Sequence, residues 1–384
     1  MKILIIGGTG ILSSAVVDEC VNRGIDVTMI NRGTKKVFLN PKAKLIVADV
    51  RNDAEKIAES LKGKSFDAVV DFLIWNEQQL DLSLSLFSKL AGQYVFISSA
   101  QAYNTSKNGV LTEDSELQQP LWSYSVNKVI CERKVRNYCD SHKVNYTIIR
   151  PGVNYGNTRI PYGMFPIIGK HWTLVSRIKA EKPIITWNNG QNRLNLTRVE
   201  DFAKGMVGLL GNPKAYNEAF NVVGDNVYSW MEVLQTLERV IKTKVNVIDI
   251  PVDFYANELS GDTREGLLGG RSKDLVCSNE KLKSVIGDFT TEYTLEEGLK
   301  KTIQFYEDND YYNGFDYVWD AECDRIINKY RRSKELPIDK TLRFVSYNKE
   351  SSFEYKQRRY CYYRNYYKES PIKLFYLRFC NKFF

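Results

Sequence analysis

The chain has 384 residues, 43% hydrophobic and 26% charged, the balance of a globular protein with a sizeable core and more than one compact unit. Its two histidines, His142 and His171, exclude a multi-histidine metal site, and no apolar run reaches the roughly 18 residues of a membrane-crossing helix. The net charge of +8 is gathered at one end: residues 331–384 carry fourteen Lys and Arg against five Asp and Glu, so the rest is close to neutral. Seven cysteines, an odd number without a CxxC, argue against a disulfide framework, and we expect a cytoplasmic protein.

Strands and helices alternate from the start. Residues 2–6 form a short apolar run that Gly7 and Gly8 break at once, which predicts a buried first strand rather than a signal peptide. A helix is predicted over 13–23, strands over 26–30 and 44–48, and a helix over 53–61. Strands follow at 66–72 and 94–98, a long helix at 122–140 and a sixth strand at 146–150. Repeated strand–helix units with short connections predict an α/β fold, a doubly wound parallel sheet of the Rossmann type. We assign it residues 1–155, with returning segments from about 193–225. Residues 156–330, rich at first in Gly and Pro (Gly163, Pro166 and Gly169 among them), predict a smaller C-terminal substrate-binding lobe, with helices over 229–240 and 295–306. Residues 331–384 form a basic, aromatic C-terminal extension.

Gly7-Gly8-Thr9-Gly10-Ile11-Leu12-Ser13 joins the first strand to the first helix. Residues without side chains let backbone N–H groups approach a pyrophosphate, and the helix N-terminus adds partial positive charge. Ser13 stands at the third glycine position, small enough for close helix–sheet packing. The second strand ends in Asn31-Arg32-Gly33-Thr34-Lys35-Lys36, with no acid to accept from ribose hydroxyls and three cations that suit a 2′-phosphate. That leans to NADP over NAD, although Arg32 could equally be a solvated turn residue. Asp49 and Val50 after the third strand either meet the adenine or make an ordinary strand-end turn. Phe72, Leu73, Ser98 and Pro151, at carboxyl ends of later strands, complete the candidate cofactor set with Gly7, Thr9, Gly10, Ile11 and Leu12.

Tyr124-Ser125-Val126-Asn127-Lys128 places a phenol and an ammonium at i and i+4, on one helical face. An ammonium beside a phenol lowers the phenol's pKa from about 10, so the tyrosine can act as general acid or base. Lys128 can also hold the nicotinamide ribose. Ser99, at the end of the fifth strand, offers a hydroxyl to the same substrate oxygen, or else caps a turn.

These pieces, in this order, resemble the extended short-chain dehydrogenase/reductase family, also called the NAD-dependent epimerase/dehydratase family. Further matches are Arg150-Pro151-Gly152-Val153-Asn154-Tyr155-Gly156, Arg193–Asp201, Phe220–Gly224 and Tyr293–Leu299, so that the resemblance covers about residues 1–308. It implies an NAD(P)-dependent enzyme acting on a sugar nucleotide, with Tyr124 moving a hydroxyl proton, Ser99 sharing its hydrogen bond and Lys128 orienting the ribose. It also places Asn154, Arg193 and Arg271 on the substrate's phosphates or base, in the second lobe. The family's 4,6-dehydratases carry an Asp-Glu pair where this chain has Ala100 and Gln101, which disfavours elimination. There remain 4-epimerisation, foremost, and reduction of a 4-keto sugar by NADPH. The Asn31-Arg32-Gly33 turn and the Ser-Ser-Ala segment are also similar to a plant chloroplast branch associated with RNA, so a catalytically idle RNA-binding member is a further alternative. A homodimer is expected.

The extension interleaves aromatics with cations. That pattern suits a membrane surface or membrane-bound partner, packing against the protein's own body or a dimer mate, or, less well, nucleic acid.

Overall fold

The computed structural model describes residues 1–35, 38–105, 109–117, 121–162, 170–287, 289–347 and 351–381; Lys36, Gly163, Pro166 and Gly169 lie outside them. In chain order the first elements are β1 (Lys2–Ile6), α1 (Ile11–Asn22), β2 (Asp26–Asn31), β3 (Lys44–Val47), α2 (Ala54–Leu61), β4 (Ala68–Asp71), α3 (Glu77–Phe87) and β5 (Gln93–Ile97). Then come α4 (Ser123–His142), β6 (Asn145–Pro151), β7 (Val153–Tyr155), α5 (Trp172–Lys179), β8 (Ile184–Thr186), β9 (Arg193–Arg198), α6 (Val199–Val207) and β10 (Glu218–Val222). The remainder is β11 (Val227–Ser229), α7 (Trp230–Ile241), β12 (Val247–Asp249), α8 (Val252–Asn257), α9 (Gly261–Gly266), α10 (Glu280–Ile286), α11 (Leu295–Asp308), α12 (Tyr317–Ser333), α13 (Ser352–Tyr366) and α14 (Pro371–Asn381).

The chain divides into two compact units. The first comprises Met1–Gly156, Arg193–Tyr228 and Leu268–Thr294; the second comprises Asn157–Asn192, Ser229–Leu267 and Leu295–Phe384. The first holds a seven-stranded sheet in the order β10-β6-β5-β4-β1-β2-β3, with parallel neighbours throughout. Strand residues alternate between its two faces. Ile3 and Ile5 enter a core with Val16, Val17 and Cys20 of α1 and Phe202 and Met206 of α6. Leu4 and Ile6 enter the opposite core with Ile57 of α2, Leu80 and Leu84 of α3, and Cys131 and Val135 of α4. Both faces are thus covered, as a parallel sheet requires. The order reverses between β1 and β4, where a doubly wound sheet opens its ligand crevice.

In the second unit, β8 pairs with β12, and α12 packs on α5 and β8. The extension belongs to this unit and is helical: α13 packs along α12, and the Tyr362 side chain is fully buried. Arg177 donates to Asp320 at 2.5 Å and to Asp324 at 2.7 Å, and Lys182 donates to the same two carboxylates at 2.8 and 2.7 Å. Tyr362 adds its hydroxyl, donated to Asp324. Two buried cations face two buried anions, and α13 closes the group.

Among the described residues no helix is long and apolar enough to cross a membrane, and no cluster of metal-ligating side chains occurs. The described cysteines are unpaired.

Candidate active site

The first strand–helix turn is a backbone cradle. Gly7 sits at φ +87°, and a Cβ there would lie 2.6 Å from Leu73 Cδ2, so both conformation and space demand glycine. Gly10 caps α1, and Ser13 Oγ accepts from the Gly10 N–H and donates to the Gly7 carbonyl, each at 2.8 Å. Ser13 therefore staples the turn with its hydroxyl, which goes beyond the small size that the sequence suggests for it. The N–H groups of Ile11 and Leu12 lie in the first turn of α1, where no intrahelical acceptor exists.

At the end of β2, Asn31 Oδ1 accepts from the Gly33 N–H at 2.8 Å. Its Nδ2 is buried and has no acceptor among the described residues, while Arg32 is exposed. Asp49 accepts from the Arg51 N–H at 3.0 Å and from Asn52 Nδ2 at 3.3 Å, so its carboxylate shapes the strand-end turn beside buried Val50. Phe72 is partly buried against the core of β1 and α1. Pro151 ends β6, in register with Val222 of β10.

Tyr124 lies in the first turn of α4 and Lys128 one turn later. Lys128 is 5% exposed, and its Nζ donates to the carbonyls of Ile74 at 2.7 Å and Ile97 at 2.8 Å, beyond β4 and at the end of β5. The ammonium stands 5.8 Å from the Tyr124 ring centroid, 5.6 Å from that of Trp75 and 5.2 Å from that of Phe96. The Tyr124 ring is flanked by Trp75 at 5.8 Å and Trp122 at 5.1 Å. Arg271 carries this chain of contacts onward, its guanidinium 5.3 Å from the Trp122 ring.

Burial pushes the Lys128 pKa down to about 8, with Asp71 and Glu132 pulling the other way. If the ammonium serves the relay, kcat/KM falls as pH rises through about 8. Stability responds in the opposite sense. The unfolded chain keeps this proton up to the ordinary 10.5, so from about 8 to 10.5 it binds more protons and this group's contribution to folding rises with pH. The expected signature is a declining kcat/KM with no loss of melting temperature from this group, and a limb flattened in Lys128→Met. A wild-type profile level to about pH 10 would remove Lys128 from the relay.

The two serines at the end of β5 diverge. Ser98 Oγ donates to Glu132 at 2.5 Å, and Arg150 grips the same carboxylate through Nε at 2.9 Å and Nη2 at 2.7 Å. Arg150 Nη1 also donates to the Tyr103 hydroxyl, which donates to Asn221 Oδ1, both at 2.7 Å. This buried network ties β5, α4, β6 and β10 together beneath the candidate site, and it engages the Ser98 hydroxyl. Ser99 Oγ instead accepts a backbone bond, from the Gln101 N–H at 3.1 Å, which leaves its own proton outside that bond. Ala100 is buried, and Gln101 Oε1 is buried without a donor among the described residues, lying where a Cβ on Gly270 would stand.

The three expected substrate contacts all fall in the first unit and not in the second lobe: Asn154 and Arg193 lie in segments already assigned to the Rossmann domain, and Arg271 joins them because Leu268–Thr294 returns to it, a return the sequence does not announce. Asn154 on β7 donates Nδ2 to the Gly152 carbonyl at 2.9 Å, and its buried Oδ1 has no donor among the described residues. Arg193 is exposed at the start of β9, its N–H donating to Asp274 at 2.9 Å. Arg271 is linked, through Trp122, to the surroundings of Tyr124. Trp75, Trp122 and Glu132 escape the motif reading. Trp122 stands two residues before Tyr124 and Glu132 one helical turn after Lys128, and these positions are the signals that point to them.

A glycine turn at the β1–α1 junction and a Tyr–Lys pair on α4, its ammonium bonded to the carbonyl that ends β5, stand on a doubly wound parallel sheet of the Rossmann type. The family model for the NAD dependent epimerase/dehydratase family matches residues 3–223, and the chain belongs to that family. It is 28% identical over 311 residues to the chloroplast stem-loop binding protein of 41 kDa b of Arabidopsis thaliana, covering 78% of this chain and 77% of that one. It is 26% identical over 325 residues to a UDP-glucose 4-epimerase of Lactobacillus helveticus, covering 75% and 91%. Its fold is that of UDP-glucuronic acid 4-epimerase from Bacillus cereus, solved with UDP-glucuronic acid and NAD. The TM-score is 0.64 at 17% identity, over 80% of this chain and 100% of the other.

Proposed function

We propose that this protein transfers hydride at one carbon of a sugar nucleotide, as an NAD-dependent 4-epimerase. The observation that carries this reading is the Tyr124 phenol held between two tryptophans with the Lys128 ammonium beside it. A sensor or scaffold has no use for such a pair.

The residues present suit a dinucleotide. Gly7 keeps the turn free of a side chain, the first N–H groups of α1 lack intrahelical acceptors, and Asn31 Nδ2 has no acceptor among the described residues. A bound nicotinamide would take the hydride from the sugar and return it. Tyr124 Oη would accept the proton of the reacting hydroxyl and restore it on the return step. Ser99 Oγ would donate to the same oxygen and steady it, and Lys128 would keep positive charge beside the phenol. Ala100 and Gln101 provide no carboxylate for a neighbouring carbon, so this chain's groups serve one hydroxyl at a time.

Reduction of a 4-keto sugar by NADPH is the second reading, favoured by Asn31 Nδ2 and exposed Arg32 in place of a ribose-binding acid. The two differ in what happens to the cofactor. As an epimerase, the purified protein carries tightly held NAD and interconverts UDP-glucose or UDP-glucuronic acid with the 4-epimer, with no net change in nicotinamide absorbance. Stoichiometric consumption of NADPH would assign the reductase instead. No turnover on any sugar nucleotide, together with salt-sensitive RNA binding, would sink both in favour of an idle RNA-binding protein.

A further inference from the structure

α14 presents two different faces. α14 packs against α13, and its Leu374 and Leu377 are half-buried. Ile372, Phe375 and Tyr376 stand at i, i+3 and i+4, which is one helical stripe, and are 79%, 69% and 68% exposed. At 3.6 residues per turn, Lys373 falls on one flank of this stripe and Arg378 on the other, and both are exposed; the Lys373 ammonium rests 4.8 Å from the Tyr367 ring centroid and would exchange that contact for a lipid phosphate. An apolar stripe edged by long cationic side chains is the pattern of a helix lying in the plane of a lipid–water interface, its cations reaching to headgroups.

We propose that α14 docks this protein on an anionic membrane surface, with Ile372, Phe375 and Tyr376 entering the headgroup boundary and Lys373 and Arg378 contacting lipid phosphates.

Three observations select that occupant. The first is charge. Residues 331–384 carry nine more cations than anions, which attracts an anionic surface and opposes pairing with a second copy through the same segment. The second is stacking. The tyrosines at the C-terminal end of α13 and just after it are already stacked in pairs, Tyr362 on Tyr366 at 5.9 Å and 10°, and Tyr363 on Tyr367 at 5.8 Å and 14°. Single-stranded nucleic acid needs such ring faces open, whereas the outward stripe of α14 includes an aliphatic residue. The third is the mount. Arg325 pairs with Glu369 and Lys368 with Glu322, each at 2.5 Å, and Tyr362 is locked into the charge cluster above, so α14 projects from an anchored helix. With 11 residues α14 is too short to span a bilayer.

Co-sedimentation with vesicles tests this. The full-length protein binds vesicles of three parts phosphatidylcholine to one part phosphatidylglycerol at physiological salt, and does not bind phosphatidylcholine alone. Phe375→Ser with Tyr376→Ser weakens binding about tenfold or more, and so does Lys373→Glu with Arg378→Glu, with melting temperature little changed because all four side chains are exposed and Lys373 gives up only one surface contact, with the Tyr367 ring. Failure to bind the mixed vesicles, or binding indifferent to both variants, overturns the proposal. So does a dimer in sedimentation velocity that Phe375→Ser with Tyr376→Ser dissolves, which would give the stripe to a second copy. Binding of single-stranded RNA lost in the same variants would give it to nucleic acid and overturn it equally.

Discussion

Tyr124→Phe is expected to lower turnover by about 10²- to 10⁴-fold while nicotinamide binding and melting temperature stay close to those of the wild type. The substitution removes one hydroxyl and keeps the ring, so the contacts with Trp75 and Trp122 survive. It also leaves Lys128 on the carbonyls of Ile74 and Ile97. The loss therefore falls on proton transfer and not on packing. Stopped-flow hydride transfer and cofactor titration separate the two. A variant with near-normal turnover would show that another group moves the proton, and the proposed relay would be abandoned. Ser99→Ala removes a supporting hydrogen bond only, and its smaller loss should appear in the same chemical step.

Tyr362→Ala is expected to destabilise the protein by about 3–5 kcal/mol, although it lies in the compositionally distinct extension. Removing the ring opens a cavity in the second unit, and removing the hydroxyl takes a donor from buried Asp324. Burial, and then the charge of Asp324, push this phenol far above its ordinary pKa, so it stays a donor throughout the accessible pH range. Tyr362→Phe keeps the ring and forfeits only the bond, for a loss of about 1–3 kcal/mol. Urea denaturation of the three proteins gives the ordering. Equal stability in all of them would mean that the charge cluster closes without α13.

Six of the seven strands of the parallel sheet are legible in the sequence because each carries a short apolar run; β10 shows there only as part of a motif. The site motifs stand out for a related reason: a phosphate cradle and a Tyr–Lys pair need fixed residue types at fixed short spacings. α3 is harder to see. Its leucines at 80, 82, 84 and 86 alternate with polar residues at a period of two, which imitates a strand. The helix is decided by Asn76, whose side chain caps the Gln79 N–H, and by the burial of Leu80, Ser83, Leu84 and Phe87 on one helical face. The wiring of the buried groups is also hidden, because it pairs residues far apart in sequence. Nothing near Ser98 shows that its hydroxyl meets Glu132, and nothing near Arg271 announces Trp122. The extension is legible in part, since packing on the body is among the readings of its composition and α13 does pack on α12, but the residue that anchors it is hidden. Its composition is that of a solvated surface tail, yet one tyrosine in it fills a core position that a count of charges cannot see.

The buried charge cluster sets an order on folding. Arg177 and Lys182 meet partners 138 to 147 residues further on, and Tyr362 comes another 38 residues after Asp324. During synthesis the first unit has all its segments once Thr294 has emerged. The second must hold two unpaired cations ready until α12 and then α13 arrive, with a long loop to close before either contact gives anything back. The same helices that carry the lipid-facing stripe are thus the last part of the fold to be secured, and a nascent chain gains that stripe only after its dinucleotide unit is complete.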